Sequence, residues 1–130
     1  MRVLIVRHAE AGPGSPDDLR TLTTAGREQA RGLGRRLRDE GFEPDAVLSS
    51  PLLRARETAA ALALGEPEAD ERLAPGATPD DIREAVLDRG ETVIVVGHQP
   101  DCGQAVAAFT NGPEPPFPTC GHVLVELGTA

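Results

Sequence analysis

Two short runs, Val3–Val6 and Thr92–Val96, constrain the fold of this chain more than any other feature. Positions 3–6 and 93–96 are all Val, Ile or Leu. A strand with one wet face alternates apolar and polar residues, so unbroken runs of this kind belong to strands covered on both faces. Such strands lie inside parallel sheets with helices packed on either side. Each run then passes straight into polar chemistry: Arg7–His8 follows the first, and Gly97–His98 follows the second. After the first, Gly12, Pro13 and Gly14 turn the chain away.

Between the two runs the apolar period becomes helical. Leu22, Gly26, Ala30, Leu33 and Leu37 recur at spacings of four, four, three and four, one face of a helix that Thr23 or Thr24 caps and that runs to about Glu40. Gly41 suits the position just past its end. Arg35–Asp39 and Arg36–Glu40 are spaced as i,i+4 pairs on the wet side, and arginines 27, 31, 35, 36 and 38 read as a solvated surface. Asp45–Ser49 is a second strand. Ser50 as N-cap and Pro51 at N1 open a second helix that reaches Leu64. A weak edge strand falls near Glu68–Glu71. Thr78, Pro79 and Asp81 form a capping-box-like start to a third helix, with Ile82, Ala85 and Val86 inward and Gly90 at its end. Gln99–Pro100 opens a fourth, with Cys102, Ala105, Val106 and Phe109 inward, and Asn111–Gly112 stops it. His122–Leu127 is the last strand. The pattern predicts one domain over residues 1–130: an α/β fold, a three-layer α/β/α sandwich with a mostly parallel central sheet and helices on both faces.

Composition narrows the function classes. The net charge is −8, which opposes nonspecific binding to a phosphate backbone. With three Phe and no Tyr or Trp, base-stacking platforms are absent, so no nucleic-acid partner is expected. No run approaches the ~20 apolar residues of a membrane span, and the first apolar run is too short for a secretory signal. A cytoplasmic protein is expected, with Cys102 and Cys120 as free thiols. All 13 basic residues are arginine, so a bound phosphate group would meet guanidinium forks.

In a parallel sheet the carboxyl ends of the strands share one edge, where ligands bind. That edge collects Arg7 and His8, then Ser49 and Ser50 with Arg54 one turn into the next helix, then Gly97 and His98. A side chain in the first helical turn leans back toward the N-terminus, so Arg54 reaches the same crevice. Two arginines, two histidines and helix N-termini suit a dianion, and a phosphoryl group fits best. No metal or other cofactor is expected, because no carboxylate stands as a third ligand and arginines repel a cation.

These same residues resemble the signatures of the histidine phosphatase (phosphoglycerate-mutase-like) superfamily. Arg7–His8–Ala9–Glu10–Ala11 is similar to its RHG-type motif. Leu22–Thr23–Thr24–Ala25–Gly26 with Gln29–Ala30 resembles its helix start, Ser49–Ala59 its second block, and Gly97–His98–Gln99–Pro100 its GH block. The four blocks occur in order across residues 3–100, and the short chain with its final GH.P resembles the SixA-like branch of phosphohistidine phosphatases. The resemblance implies a cofactor-independent phosphatase with His8 as nucleophile and a phosphohistidine intermediate. It implies that Arg7, Arg54 and His98 hold the phosphoryl oxygens. Two departures stand out. Ala9 replaces the usual glycine, and only about two dozen residues separate Pro67 from Thr92, where larger members insert a glutamate proton donor. Glu10, Glu71 and Asp101 are the donor candidates, with Glu10 preferred because it lies two residues from His8. A phosphoramidate leaves as imidazole, which takes its own proton, so a missing acid favours phosphohistidine of a protein as substrate. Small phosphate esters or sugar phosphates are the alternative, and a noncatalytic phosphate-binding module is a third reading. The expected partner is a phosphorylated protein or small phosphorylated substrate, met by a monomer or weak homodimer.

Overall fold

The structure, a computed structural model, describes residues 1–128. Five strands form one sheet: β1 (Arg2–Arg7), β2 (Ala46–Ser49), β3 (Pro67–Ala69), β4 (Thr92–Gly97) and β5 (His122–Glu126). Their order is β3-β2-β4-β1-β5, with every pairing parallel except β5 against β1. The four helices among the described residues are α1 (Thr24–Asp39), α2 (Leu53–Leu62), α3 (Pro79–Val86) and α4 (Asp101–Thr110).

The unbroken apolar runs behave as their pattern requires. Val3, Ile5, Val93 and Val95 point to one face and pack with Ile82, Val86, Ala105 and Val106 of α3 and α4. Leu4, Val6, Ile94 and Val96 point to the other and pack with Leu33, Leu37, Ala59 and Leu62 of α1 and α2. This is the three-layer α/β/α sandwich. Thr23 caps α1 by accepting the Gly26 N–H, Thr78 and Asp81 close a capping box on α3, and Gly41 (φ +77°) turns the chain after α1.

Several boundaries differ from the sequence pattern, each for a local reason. Helix α2 begins at Leu53, not Pro51, because Leu52 is extended (φ −67°, ψ 140°) and stands as the N-cap in place of Ser50. It stops at Leu62, where Ala63 turns left-handed (φ 54°). Helix α3 ends at Val86, four residues before Gly90, because Leu87 is extended and Asp88 is left-handed (φ 61°). Strand β3 lies at Pro67–Ala69; Asp70 leaves it to cap the 3-10 turn Glu71–Leu73, accepting the Arg72 N–H. Leu22 is buried with Ala9 and Ala30 but precedes α1. Neither Arg35–Asp39 nor Arg36–Glu40 closes to an ion pair among the described residues; Arg31 pairs with Glu28 instead, and Arg38 donates to the Leu62 carbonyl at 2.6 Å.

Two glycines let α1 settle against its neighbours. A Cβ on Gly26 would lie 2.0 Å from the Glu10 carbonyl oxygen, and one on Gly34 would lie 2.1 Å from that of Leu62. Both obstacles are backbone, so neither can swing aside. Gly34→Ala is expected to push α1 off α2 and cost roughly 1–3 kcal/mol, as overpacked cores do. A lowered denaturant midpoint at unchanged slope checks this.

Candidate active site

Strands β1 and β4 end side by side, with Arg7 opposite Gly97, and the ladder continues past both ends. The His8 N–H donates to Gly97 O at 3.0 Å, and the Ser50 N–H to Val96 O at 2.9 Å. The backbone thereby sets His8, Ser50 and His98 next to one another at the carboxyl edge of the sheet. The His8 and His98 rings meet edge to face, centroids 5.3 Å apart. Both histidines and Arg54 are buried.

The hydrogen bonding of His8 fixes its tautomer. Its Nδ1 lies 2.8 Å from Ala9 O. A carbonyl can only accept, so neutral His8 carries its proton on Nδ1 and leaves the Nε2 lone pair free. Burial is the main influence pulling the His8 pKa below its ordinary value; the Ala9 bond opposes this, and the charges of Arg54, Arg7 and Arg20 add to it. The imidazole is therefore uncharged at neutral pH. Buried Thr58 ties this turn to α2: its hydroxyl accepts the Ala9 N–H at 2.9 Å and donates to Arg54 O at 2.8 Å. Ala9 has an ordinary negative φ, so a Cβ is accommodated there; the side chain is fully buried beside Leu22 and Ala30.

His98 Nε2 lies 2.7 Å from Ser50 Oγ, which also accepts the Leu52 N–H at 3.2 Å. Burial first, then the neighbouring His8 and Arg54, push its pKa down to about 4. A bound dianion would favour the protonated form of both rings, since an opposite charge stabilises the cation.

Arg7 and Arg54 stand where the strand ends predict, and the structure adds Arg20. Arg7 Nη1 donates to Phe117 O at 2.9 Å. Arg54 donates to Asp17 twice, to the carbonyl at 2.9 Å and to Oδ2 at 3.3 Å, and Arg20 lies 3.6 Å from Asp17 Oδ1. The Nε–H groups of Arg7, Arg20 and Arg54 are all buried with no hydrogen-bond partner among the described residues. These are the three arginines whose charge acts on His8. Buried donors of this kind are costly unless an acceptor reaches them. Arg20, Asp17 and the bond between Ser50 and His98 escaped the sequence reading, which put Ser50 itself at this edge. The loop 12–21 read as a plain connector, although charged residues following a site strand were a usable signal. Ser50 read as a helix cap, and that pattern hid its bond to His98.

The three donor candidates are placed apart. Glu10 is exposed and accepts from the Thr23 hydroxyl at 2.8 Å. Glu71 is exposed on its 3-10 turn. Asp101 is buried and accepts the Gly76 and Ala77 N–H groups at 2.9 and 3.1 Å; burial raises its pKa against the pull of those amides. Among the described residues no group of three or more His, Cys, Asp or Glu side chains could hold a metal ion.

The lowered histidine pKa values predict a pH dependence. A nucleophilic His8 must be neutral, so the acid limb of kcat/KM is expected below pH 6.5. Stability follows the same sign. Between about pH 4 and 6.5 the unfolded chain binds the His98 proton and the folded one does not. Stability from this group is complete above pH 6.5 and falls as the pH drops toward 4. Denaturant midpoints of the unliganded protein at pH 7 and pH 5 check it; a rise at pH 5 in His98→Gln relative to wild type is expected.

The comparisons with known proteins agree with this geometry. The family model described as histidine phosphatase superfamily (branch 1) matches residues 3–76. The phosphohistidine phosphatase SixA of Escherichia coli (strain K12) is 34% identical over 98% of this chain and 86% of its own. An uncharacterized protein of Picosynechococcus is 35% identical over 86% of this chain and 74% of its own. The solved structure of the protein histidine phosphatase SixA complexed with tungstate superposes with a TM-score of 0.88 and 28% identity, covering 98% of this chain and 88% of that one. With two histidines and three arginines gathered on one sheet edge, and with these relatives, the chain belongs to the histidine phosphatase superfamily and is a histidine-dependent phosphatase.

Proposed function

We propose that this enzyme removes the phosphoryl group from phosphohistidine on a protein, with His8 as the covalent nucleophile. One observation carries the reading: His8 keeps Nδ1 on the Ala9 carbonyl, freeing Nε2, while the buried Nε–H groups of Arg7 and Arg54, two of the arginines whose charge acts on this ring, have no hydrogen-bond partner among the described residues. The Nε2 lone pair attacks phosphorus, the bond to the substrate nitrogen breaks, and the departing imidazole takes a proton from solvent. Water then attacks the phospho-His8 bond, releasing inorganic phosphate and restoring neutral His8. Arg7, Arg54 and His98, joined by Arg20, hold the phosphoryl oxygens as charge spreads over them. Support comes from the relatives: SixA is a phosphohistidine phosphatase, and its structure holds tungstate, a tetrahedral oxyanion. A cytoplasmic setting accords with two free thiols whose pKa values burial raises to about 12 (Cys102) and about 11 (Cys120).

The leaving group tests the substrate. Because Glu10 and Asp101 are occupied with structural hydrogen bonds and Glu71 is exposed, the reaction is expected to run without an enzymic acid. Glu10→Gln, Glu71→Gln and Asp101→Asn are compared on a phosphohistidine protein, p-nitrophenyl phosphate and an alkyl phosphate. Phosphohistidine turnover is expected to stay within about threefold of wild type in all three. Any assisting acid, with Glu10 the first candidate, should show its ~10²–10⁴-fold contribution only on the alkyl ester. A variant that loses as much on phosphohistidine as on the alkyl ester overturns the argument, and wild-type preference for small esters establishes the alternative substrate class.

A further inference from the structure

Arg27, Arg31, Arg35 and Arg38 of α1 line an open groove of about 580 Å³ whose other wall includes Ala60 and Ala61 of α2. They occupy positions i, i+4, i+8 and i+11, so they form one row along the helix. Two are paired with carboxylates, and Arg38 and Arg35 keep their charge uncompensated among the described residues. Arg27 pairs with Glu57 at 3.2 Å, Arg31 pairs with Glu28 at 3.1 Å, and Arg38 donates to the carbonyls that end α2. Arg35 has no ion-pair partner among the described residues and is exposed. Four of the chain's 13 basic residues therefore gather in one groove of a protein whose net charge is −8. One end of the arginine row is tied to the loop that carries Arg20. Arg27 donates to Thr21 Oγ1 at 3.1 Å and to Leu22 O at 2.6 Å, and Thr21 adjoins Arg20. The α2 wall is alanine apart from Glu57, whose carboxylate is held by Arg27.

We propose that this groove docks an acidic segment of the phosphorylated protein substrate while its phosphohistidine occupies the site. The proposal rests on the phosphatase reading above and adds to it where the protein part of the substrate binds. The charge complementarity is local: the groove carries more arginines than carboxylates on a chain of net charge −8, which favours approach of an acidic segment there.

The test uses two synthetic phosphohistidine peptides that differ only in their flank, one Glu-rich and one Gly-Ser, with p-nitrophenyl phosphate as a small substrate. Wild type is expected to prefer the Glu-rich peptide by about three- to tenfold in kcat/KM through KM, as two or more exposed charge pairs allow. In R31E/R35E that preference is expected to vanish or reverse, while p-nitrophenyl phosphate turnover stays at the wild-type rate. Equal use of both peptides by wild type, or an unchanged preference in R31E/R35E, overturns the docking proposal while leaving the phosphatase reading standing. An equal loss on p-nitrophenyl phosphate, or conversion of a self-associated species to monomer in R31E/R35E, also overturns it, by assigning the groove to the fold or to a second copy of the chain. Failure of wild type on all three substrates removes the phosphatase reading and the docking proposal with it.

Discussion

His8→Ala is expected to lower turnover by roughly 10⁴–10⁶-fold, the loss that follows removal of a covalent nucleophile. The fold should survive, because His8 follows β1 and, among the described residues, its ring hydrogen-bonds only to the carbonyl of the next residue. His98 is the rival, since its ring lies 5.3 Å away in the same crevice. The two are distinguished by what each Nε2 is doing. In His98 it is hydrogen-bonded to Ser50 Oγ at 2.7 Å, whereas in His8 it has no hydrogen-bond partner among the described residues. Rapid quenching with labelled substrate is therefore expected to leave an acid-labile, base-stable phosphoryl group on His8 in wild type and in His98→Ala. In His8→Ala no label should form. A label on His98 in that variant, with turnover kept, would move the nucleophile to the other histidine and reverse the assignment.

Much of the fold was legible because its strongest signals are local and redundant. Val3–Val6 and Val93–Val96 admit no reading but a strand covered on both sides, and Thr78–Pro79–Asp81 specifies a helix start through three separate preferences. The site was legible for the same reason: a parallel sheet converts scattered strand ends into one edge, so Arg7, His8, Arg54 and His98 could be brought together without knowing a distance. What was not legible depends on partners far away in sequence. Ser50 binds His98, 48 positions on, while its hydroxyl still accepts the nearby Leu52 N–H. Arg20 and Asp17 sit in a loop whose composition says only that it is a loop; their importance comes from Arg54, which reaches across from α2. The i,i+4 pairing expected along α1 gave way because exposed ion pairs are weak, about 0.3–0.5 kcal/mol each.

The contrast between Arg54 and Arg56 follows from two positions on one helix. Arg54 is 7% exposed, turned inward toward the site, and its Nε–H has no partner among the described residues. Arg56 is exposed and borders a shallow surface groove with Ser49, Ala60 and Gly65. Arg54→Ala removes a charge-assisted, forked contact that strengthens as the phosphoryl group spreads its charge, an effect worth about 2–4 kcal/mol in the transition state. The expected loss in kcat/KM is about one and a half to three decades, since each decade corresponds to about 1.4 kcal/mol. Arg56→Ala is expected to stay within about threefold of wild type, as surface substitutions usually do. Arg54→Lys separates charge from geometry: it keeps the cation but not the planar fork, and is expected to recover only part of the loss. Arg54 also holds Asp17 through two hydrogen bonds, so its loss would leave that carboxylate unpaired by Arg54. The double variant Asp17→Asn/Arg54→Ala measures how much of the effect comes from this. If Arg54 acts on the phosphoryl group, adding Asp17→Asn to Arg54→Ala should restore no activity. If Arg54 serves mainly to neutralise Asp17, removing that carboxylate charge should restore most of it, and equal losses in Arg54→Ala and Arg56→Ala would place neither residue at the substrate.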